Sequence, residues 1–118
     1  MDGYKGLKVY EKSYELALEI YKIVKLLPQE ETYGLSSQMR RASTSIPINI
    51  AEGYSRKANI KEYRQFVIIA KGSANEMQVL LDLCKDLGYI KEEYSNLYER
   101  YTEILKMLSG LIRTMDIT

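Results

Sequence analysis

The chain has 118 residues, 17 basic and 16 acidic side chains and 46% hydrophobic residues, the mix of one soluble globular domain over residues 1–118. It contains no histidine, which excludes His-ligated zinc and di-iron sites, imidazole acid–base chemistry and every Ser-His-Asp or Cys-His nucleophile. At a net charge of +1, bulk composition sets no demand for nucleic acid or membrane as a partner. The single cysteine, Cys84, cannot form an internal disulfide. With no signal-peptide core at the start and no apolar run near the ~18 residues of a membrane span, a cytoplasmic protein is expected.

Helical periodicity dominates. The first predicted helix carries Leu7, Tyr10, Tyr14, Ala17, Leu18, Tyr21 and Val24 as its apolar stripe, with Glu11, Glu15 and Glu19 beside Lys8, Lys12 and Lys22 on the other side. Pro28 ends it. A second helix runs from about Leu35 to Arg56, with Leu35, Met39, Ala42, Ile46, Ile50 and Gly53 on one face. A third runs from about Ile60 to Leu87, opened by a capping box of Asn59 and Glu62 and closed by Gly88. Its apolar positions are Tyr63, Phe66, Val67, Ala70, Ala74, Met77, Leu80, Leu81 and Cys84. The fourth spaces Tyr94, Leu97, Tyr98, Tyr101, Ile104, Leu105, Leu108, Leu111, Ile112 and Met115 in steps of three or four, after Glu92 and Glu93 at its positive end. Four helices of roughly 20–28 residues joined by short links predict an all-α, up-down-up-down antiparallel four-helix bundle.

The second helix contains the irregularities. Pro47 removes one backbone hydrogen bond and crowds the Ser43 carbonyl, so a kink is expected there, with the Ser43, Thr44 and Ser45 hydroxyls or a water solvating the turn. Arg41, Ser45, Asn49, Glu52 and Arg56 form a polar stripe beside the apolar one. Flanked by Ala42, Ala51 and Gly53, it reads as a partly buried network: Ser45, Asn49 bonded to backbone and Glu52 paired with an arginine, setting helix register. The plainer alternative is a solvated face. Gly72, Ser73 and Ala74 are the expected close-packing counterpart on the third helix.

The near-neutral total hides a basic middle. Residues 1–35 carry a net −1, residues 36–75 a net +5 and residues 76–118 a net −3. The excess comes from Arg40, Arg41, Arg56, Lys57, Lys61, Arg64 and Lys71, densest at the turn between the second and third helices, where Tyr54 and Tyr63 are interleaved. Cations with aromatics suit phosphate contact and base stacking; the same residues could equally solubilise a loop. Eleven tyrosines without a tryptophan suit core and rim positions whose hydroxyls reach water, or subunit interfaces. The glutamates of the first helix are better explained as a solvated face than as acid–base groups, and Cys84 as a small buried hydrophobe. No catalytic residue, metal or cofactor is expected.

Tyr33-Gly34-Leu35 with Gln38, Arg40-Arg41-Ala42, Ser45-Ile46-Pro47, Asn49-Ile50-Ala51-Glu52-Gly53 and Arg56 resembles the signature of the four-helix-bundle proteins encoded in 23S rRNA intervening sequences. Glu62-Tyr63, Phe66, Ile69-Ala70, Gly72-Ser73, Glu76 and Leu87-Gly88-Tyr89 match the same family downstream, and Leu7, Tyr10, Pro28 and Glu31 upstream. The resemblance implies a closed ring, typically a homopentamer. It extends to the accessory variability determinant of diversity-generating retroelements, which shares that architecture and binds nucleic acid and a reverse transcriptase. Members of that group are strongly basic, and this chain at +1 departs from them. Two functions fit: an oligomeric accessory protein binding structured RNA or a ribonucleoprotein through the basic residues, or a protein-interaction scaffold with no nucleic-acid contact. Pairing of Arg40, Arg41 and Arg56 within the molecule favours the second.

Overall fold

The computed structural model describes residues 3–116. Among these residues are four α-helices and no strand: α1 (Lys8–Ile23), α2 (Leu35–Ser55), α3 (Ile60–Asp86) and α4 (Glu93–Thr114), with 3-10 turns at Gly3–Gly6, Val24–Leu26 and Gln29–Glu31. Each helix packs on its neighbour in sequence, α2 most extensively on α3, and α4 returns more sparsely against α1. This is the arrangement of a helical bundle.

Local chemistry sets the boundaries. α1 stops after 16 residues, short of the expected 20, because the chain tightens into a 3-10 turn and then extends at Leu27 ahead of Pro28. The Asn59 side chain accepts the Glu62 N–H at 3.2 Å, while Glu62 returns no bond, so only half of the capping box forms. At the other end of α3, Gly88 adopts φ +84°. Its N–H donates to the Lys85 carbonyl at 3.0 Å and the Tyr89 N–H to the Cys84 carbonyl at 2.8 Å, which together make a Schellman turn. The Glu93 carboxylate accepts the Lys91 N–H at 2.9 Å, and backbone hydrogen bonding holds its pKa below the ordinary value.

Met39, Ala42, Ile46 and Ile50 of α2 meet Val67, Ala70, Ala74, Met77, Leu81 and Cys84 of α3 and Leu97, Tyr101, Ile104 and Leu108 of α4 in one buried core. These are the positions expected from periodicity. α1 is different. Its core face is Val9, Ser13, Leu16, Ala17, Ile20 and Ile23; of the expected stripe only Ala17 is fully buried. Tyr14, Leu18 and Tyr21 point outward. α1 therefore carries two apolar stripes, and the bundle uses the less aromatic one.

Pro47 lies inside α2 and is buried, and the helix continues through it to Ser55. The Ser43 and Thr44 hydroxyls donate to the Arg40 carbonyl, at 3.2 and 2.8 Å, rather than solvating the turn at Pro47. Of the two glycines expected at close contact between α2 and α3, Gly53 is at one and Gly72 is not. A Cβ on Gly53 would stand 2.9 Å from the Phe66 Cβ and 3.1 Å from Tyr63, so α3 passes too close to Gly53 to leave room for a side chain there. Gly72 is exposed, and a Cβ there would meet nothing within 4 Å.

Candidate functional site

The basic residues do not gather at one place. Arg40 and Arg41 lie in the first half of α2 and Arg56 just beyond its end, roughly 22 Å apart along the helix axis. Lys71 sits midway along α3. Only Arg56, Lys57, Lys61 and Arg64 share the α2–α3 turn and the first turns of α3.

Most of the arginines are engaged within the chain. Arg41 pairs with Glu76 of α3. The Arg56 guanidinium contacts the Glu52 carboxylate at 3.5 Å and stands over the Phe66 ring, 5.2 Å from its centroid. Arg64 meets the Asp116 carboxylate through Nε at 3.1 Å and Nη2 at 3.0 Å. Arg40 donates to the Thr32 carbonyl at 3.3 Å. Lys57, Lys61 and Lys71 make no ion pair among the described residues. The Lys57 ammonium instead donates to the Tyr54 hydroxyl at 2.9 Å and lies 4.1 Å from that ring's centroid. Tyr63, expected as a stacking partner, is buried; it meets Tyr54 edge-on and burial pushes its pKa up. Each exposed pair is worth only about 0–1 kcal/mol, but together they place a carboxylate beside three of the four arginines, while the three lysines have none.

The polar stripe of α2 divides in two. Ser73 of α3 donates its hydroxyl to Ser45 Oγ at 2.9 Å, and Asn49 donates to the Ser45 carbonyl and hydroxyl at 2.8 and 2.9 Å. This is a register contact between α2 and α3. Glu52 is not part of it: the carboxylate is exposed and faces Arg56.

An apolar groove is lined on its α1 side by residues that periodicity placed on the core stripe. Tyr10, Tyr14, Leu18 and Tyr21 of α1 face Pro47 and Ile48 of α2 across a groove of about 680 Å³. Leu18 and Ile48 are 53% and 58% exposed. Tyr4 closes one end and packs edge-on against Tyr10, with ring centroids 4.8 Å apart. A smaller depression of about 440 Å³ lies between Lys61, Arg64, Gln65, Met115 and Asp116. Among the described residues no group of three carboxylate, thiol or imidazole side chains is placed to hold a metal ion, and no helix is long and apolar enough to cross a membrane. Burial, with a smaller push from Glu31, raises the Cys84 thiol to about 11, so it is a protonated core group 3.5 Å from the Met39 sulfur.

The family model described as 23S rRNA-intervening sequence protein matches residues 5–110. The chain belongs to this family. A solved crystal structure is similar to it: a protein with unknown function from the S23 ribosomal protein family from Bacteroides thetaiotaomicron VPI-5482. The TM-score is 0.80 at 33% sequence identity, over 89% of this chain and 95% of that one. No curated protein matches. The residues of this family member that periodicity misplaced, the outward α1 tyrosines and Leu18, had a signal in the sequence. Val9, Leu16, Ile20 and Ile23 already supplied a complete core stripe, so the second stripe was surplus.

Proposed function

We propose that the chain is a non-enzymatic, oligomeric protein-interaction scaffold of the 23S rRNA-intervening sequence family. The observation that carries this reading is the combination of a tyrosine-lined apolar groove with arginines already engaged inside the molecule: Arg40 with Thr32, Arg41 with Glu76, Arg56 with Glu52 and Arg64 with Asp116. A surface built for phosphate would leave that charge free. Contiguous exposed apolar surface marks association.

On this reading the helices run up-down-up-down. The Arg64–Asp116 pair supports that course by joining the start of α3 to the residues after α4, and the Tyr89–Glu31 bond joins the α3–α4 turn to the linker before α2. A bend of α2 at Pro47 shapes the groove wall. Replacing Pro47 with Ala should straighten the helix; an unchanged backbone path would remove that role. Assembly as a homopentamer, a cytoplasmic location and kinship with the retroelement accessory determinant belong to the same reading and rest on the family resemblance.

A second reading is favoured by Lys57 and Lys61, exposed beside Tyr54 at the α2–α3 turn with no carboxylate partner. They could engage structured RNA or a ribonucleoprotein. An anisotropy titration separates the two, using an rRNA hairpin and a matched DNA duplex at rising salt, with the mass of the protein measured on the same sample. The scaffold reading expects no binding near 150 mM salt. Micromolar RNA binding there, abolished by Arg56→Glu, Lys57→Glu and Lys61→Glu together, would replace it with the RNA reading.

A further inference from the structure

The α1–α2 groove has a shape, a charge and a set of aromatic rings that point to one kind of occupant. Its walls run from Tyr10 to Tyr21 on α1 and from Thr44 to Ser55 on α2. The two spans are equal and each comes to about 17 Å, or about three helical turns. Leu18, Pro47 and Ile48 give the trough an apolar lining, and Leu18 and Ile48 remain exposed. A straight apolar trough of this length between two helices takes the apolar face of a third, with side chains at i, i+3 or i+4, and i+7.

The rims are acidic. Glu11 and Glu15 line the continuation of the groove over α1, and Glu52 lies on the α2 wall. Lys5 is the one base among the described residues that line either part. Glu11 and Glu15 make no ion pair among the described residues, and Glu52 meets only Arg56, at 3.5 Å and exposed to solvent. An occupant with positive charge along both edges would find a carboxylate on each side.

The tyrosines agree. Elsewhere the chain places its own cations over aromatic rings: Arg56 over Phe66, Lys57 over Tyr54 and Lys85 over Tyr94. Among the described residues no cation stands over Tyr10, Tyr14 or Tyr21, although Tyr14 and Tyr21 are exposed. A lysine or arginine brought from outside supplies the contact these rings lack.

We propose that the groove binds a basic amphipathic helix of another protein. About three turns of its apolar face pack on Leu18, Pro47 and Ile48, while lysines or arginines along its edges reach Glu11, Glu15, Glu52 and the tyrosine rings. This rests on the scaffold reading above and names the chemistry of its partner. The acidic rims also select, because an acidic helix of the same shape would bring like charges together.

Fluorescence anisotropy on the full chain at physiological salt tests it. The probe is a labelled synthetic peptide of about four helical turns, leucines along one face and lysines on the rest. One control carries glutamate for every lysine; another keeps the lysine peptide's composition with its leucines scattered. The lysine peptide should bind with a micromolar Kd, about tenfold or more tighter than either control, and gain helicity by circular dichroism. Leu18→Ser with Ile48→Ser should weaken it about tenfold, the loss of two apolar contacts. Glu11→Lys with Glu15→Lys should place the glutamate peptide ahead of the lysine one. No binding, equal binding of the lysine and glutamate peptides, or binding untouched by the Leu18 and Ile48 changes would overturn the inference. So would a peptide that binds only while separating chains from one another in sedimentation velocity, which would give the groove to a second copy. The hairpin titration judges the scaffold reading and the peptide judges its partner, so the two can fail separately.

Discussion

The Ser73 hydroxyl of α3 donates to the Ser45 hydroxyl of α2 at 2.9 Å, and Asn49 caps the same oxygen from one turn further along α2. Ser73 is buried and Ser45 half-buried, so neither can exchange this contact freely for water. Losing one partner strands the other, whereas losing both leaves little polarity behind. Ser45→Ala and Ser73→Ala should each cost about 1 kcal/mol in urea unfolding. The double variant should cost less than their sum, by about 0.5 kcal/mol or more. Strict additivity would show that the contact carries no energy.

Gly53 of α2 and Gly72 of α3 should respond to alanine with opposite signs. At Gly53 the new methyl group collides with the Phe66 Cβ and the Tyr63 ring, and neither is the free end of a flexible chain. Overpacking outweighs the gain in helix propensity, for a net loss of about 1–2 kcal/mol. At Gly72 the methyl enters open space, so the gain of about 0.5–1 kcal/mol stands alone. Thermal midpoints of the two variants against the parent chain check both signs.

Tyr101 is the opposite of a well-placed tyrosine. It is 1% exposed, and its hydroxyl has no hydrogen-bond partner among the described residues, contrary to the expectation that the tyrosine hydroxyls reach water. Burial drives its pKa far up. Tyr101→Phe should therefore be neutral or stabilising by up to about 1 kcal/mol, where an ordinary buried tyrosine would lose that much. Chemical denaturation of the two proteins decides it.

Alkaline pH should weaken the fold before any backbone group responds. The Cys84 thiol rises from an ordinary value near 9 to about 11 through burial. Tyr94 rises from near 10 to about 12, chiefly through its hydrogen bond to Asp82. Both groups are neutral when protonated, and the folded chain holds each proton longer than the unfolded chain does. Between pH 9 and 12 the unfolded state thus binds fewer protons, and stability falls as pH rises through that window. Cys84→Ala and Tyr94→Phe should flatten the fall when midpoints are followed from pH 8 upward. The same burial predicts that iodoacetamide modifies Cys84 only once denaturant opens the core.

The legible parts of the fold were those governed by short-range chemistry. Asn59 capping Glu62, Gly88 in its left-handed turn and the core stripes of α2, α3 and α4 all follow from spacing and residue type. α1 was misread for a definite reason. A hydrophobic stripe shows that one face avoids water, not which chain covers it, and the tyrosine-rich stripe outweighed the leaner one of Val9, Leu16 and Ile20. Gly72 was read as a contact alongside Gly53 because glycine looks the same at a contact and in a gap. The basic residues were visible as a composition shift, but their carboxylate partners, Glu76 and Asp116, come from distant parts of the chain that only folding brings near.

The two ends of the molecule are fastened by different forces. Where α3 begins, the Arg64–Asp116 ion pair ties down the residues after α4. Where α3 ends, a phenol holds a carboxylate: Tyr89 donates to Glu31 at 2.9 Å, which raises the pKa of that hydroxyl. Salt screens the first fastening and barely touches the second, whereas alkali deprotonates the phenol and turns its bond to Glu31 into repulsion. Each end can thus be loosened without the other, and amide exchange would report which one frays under which solvent. The bundle behaves less like a uniform rod than like a clip with two independent latches.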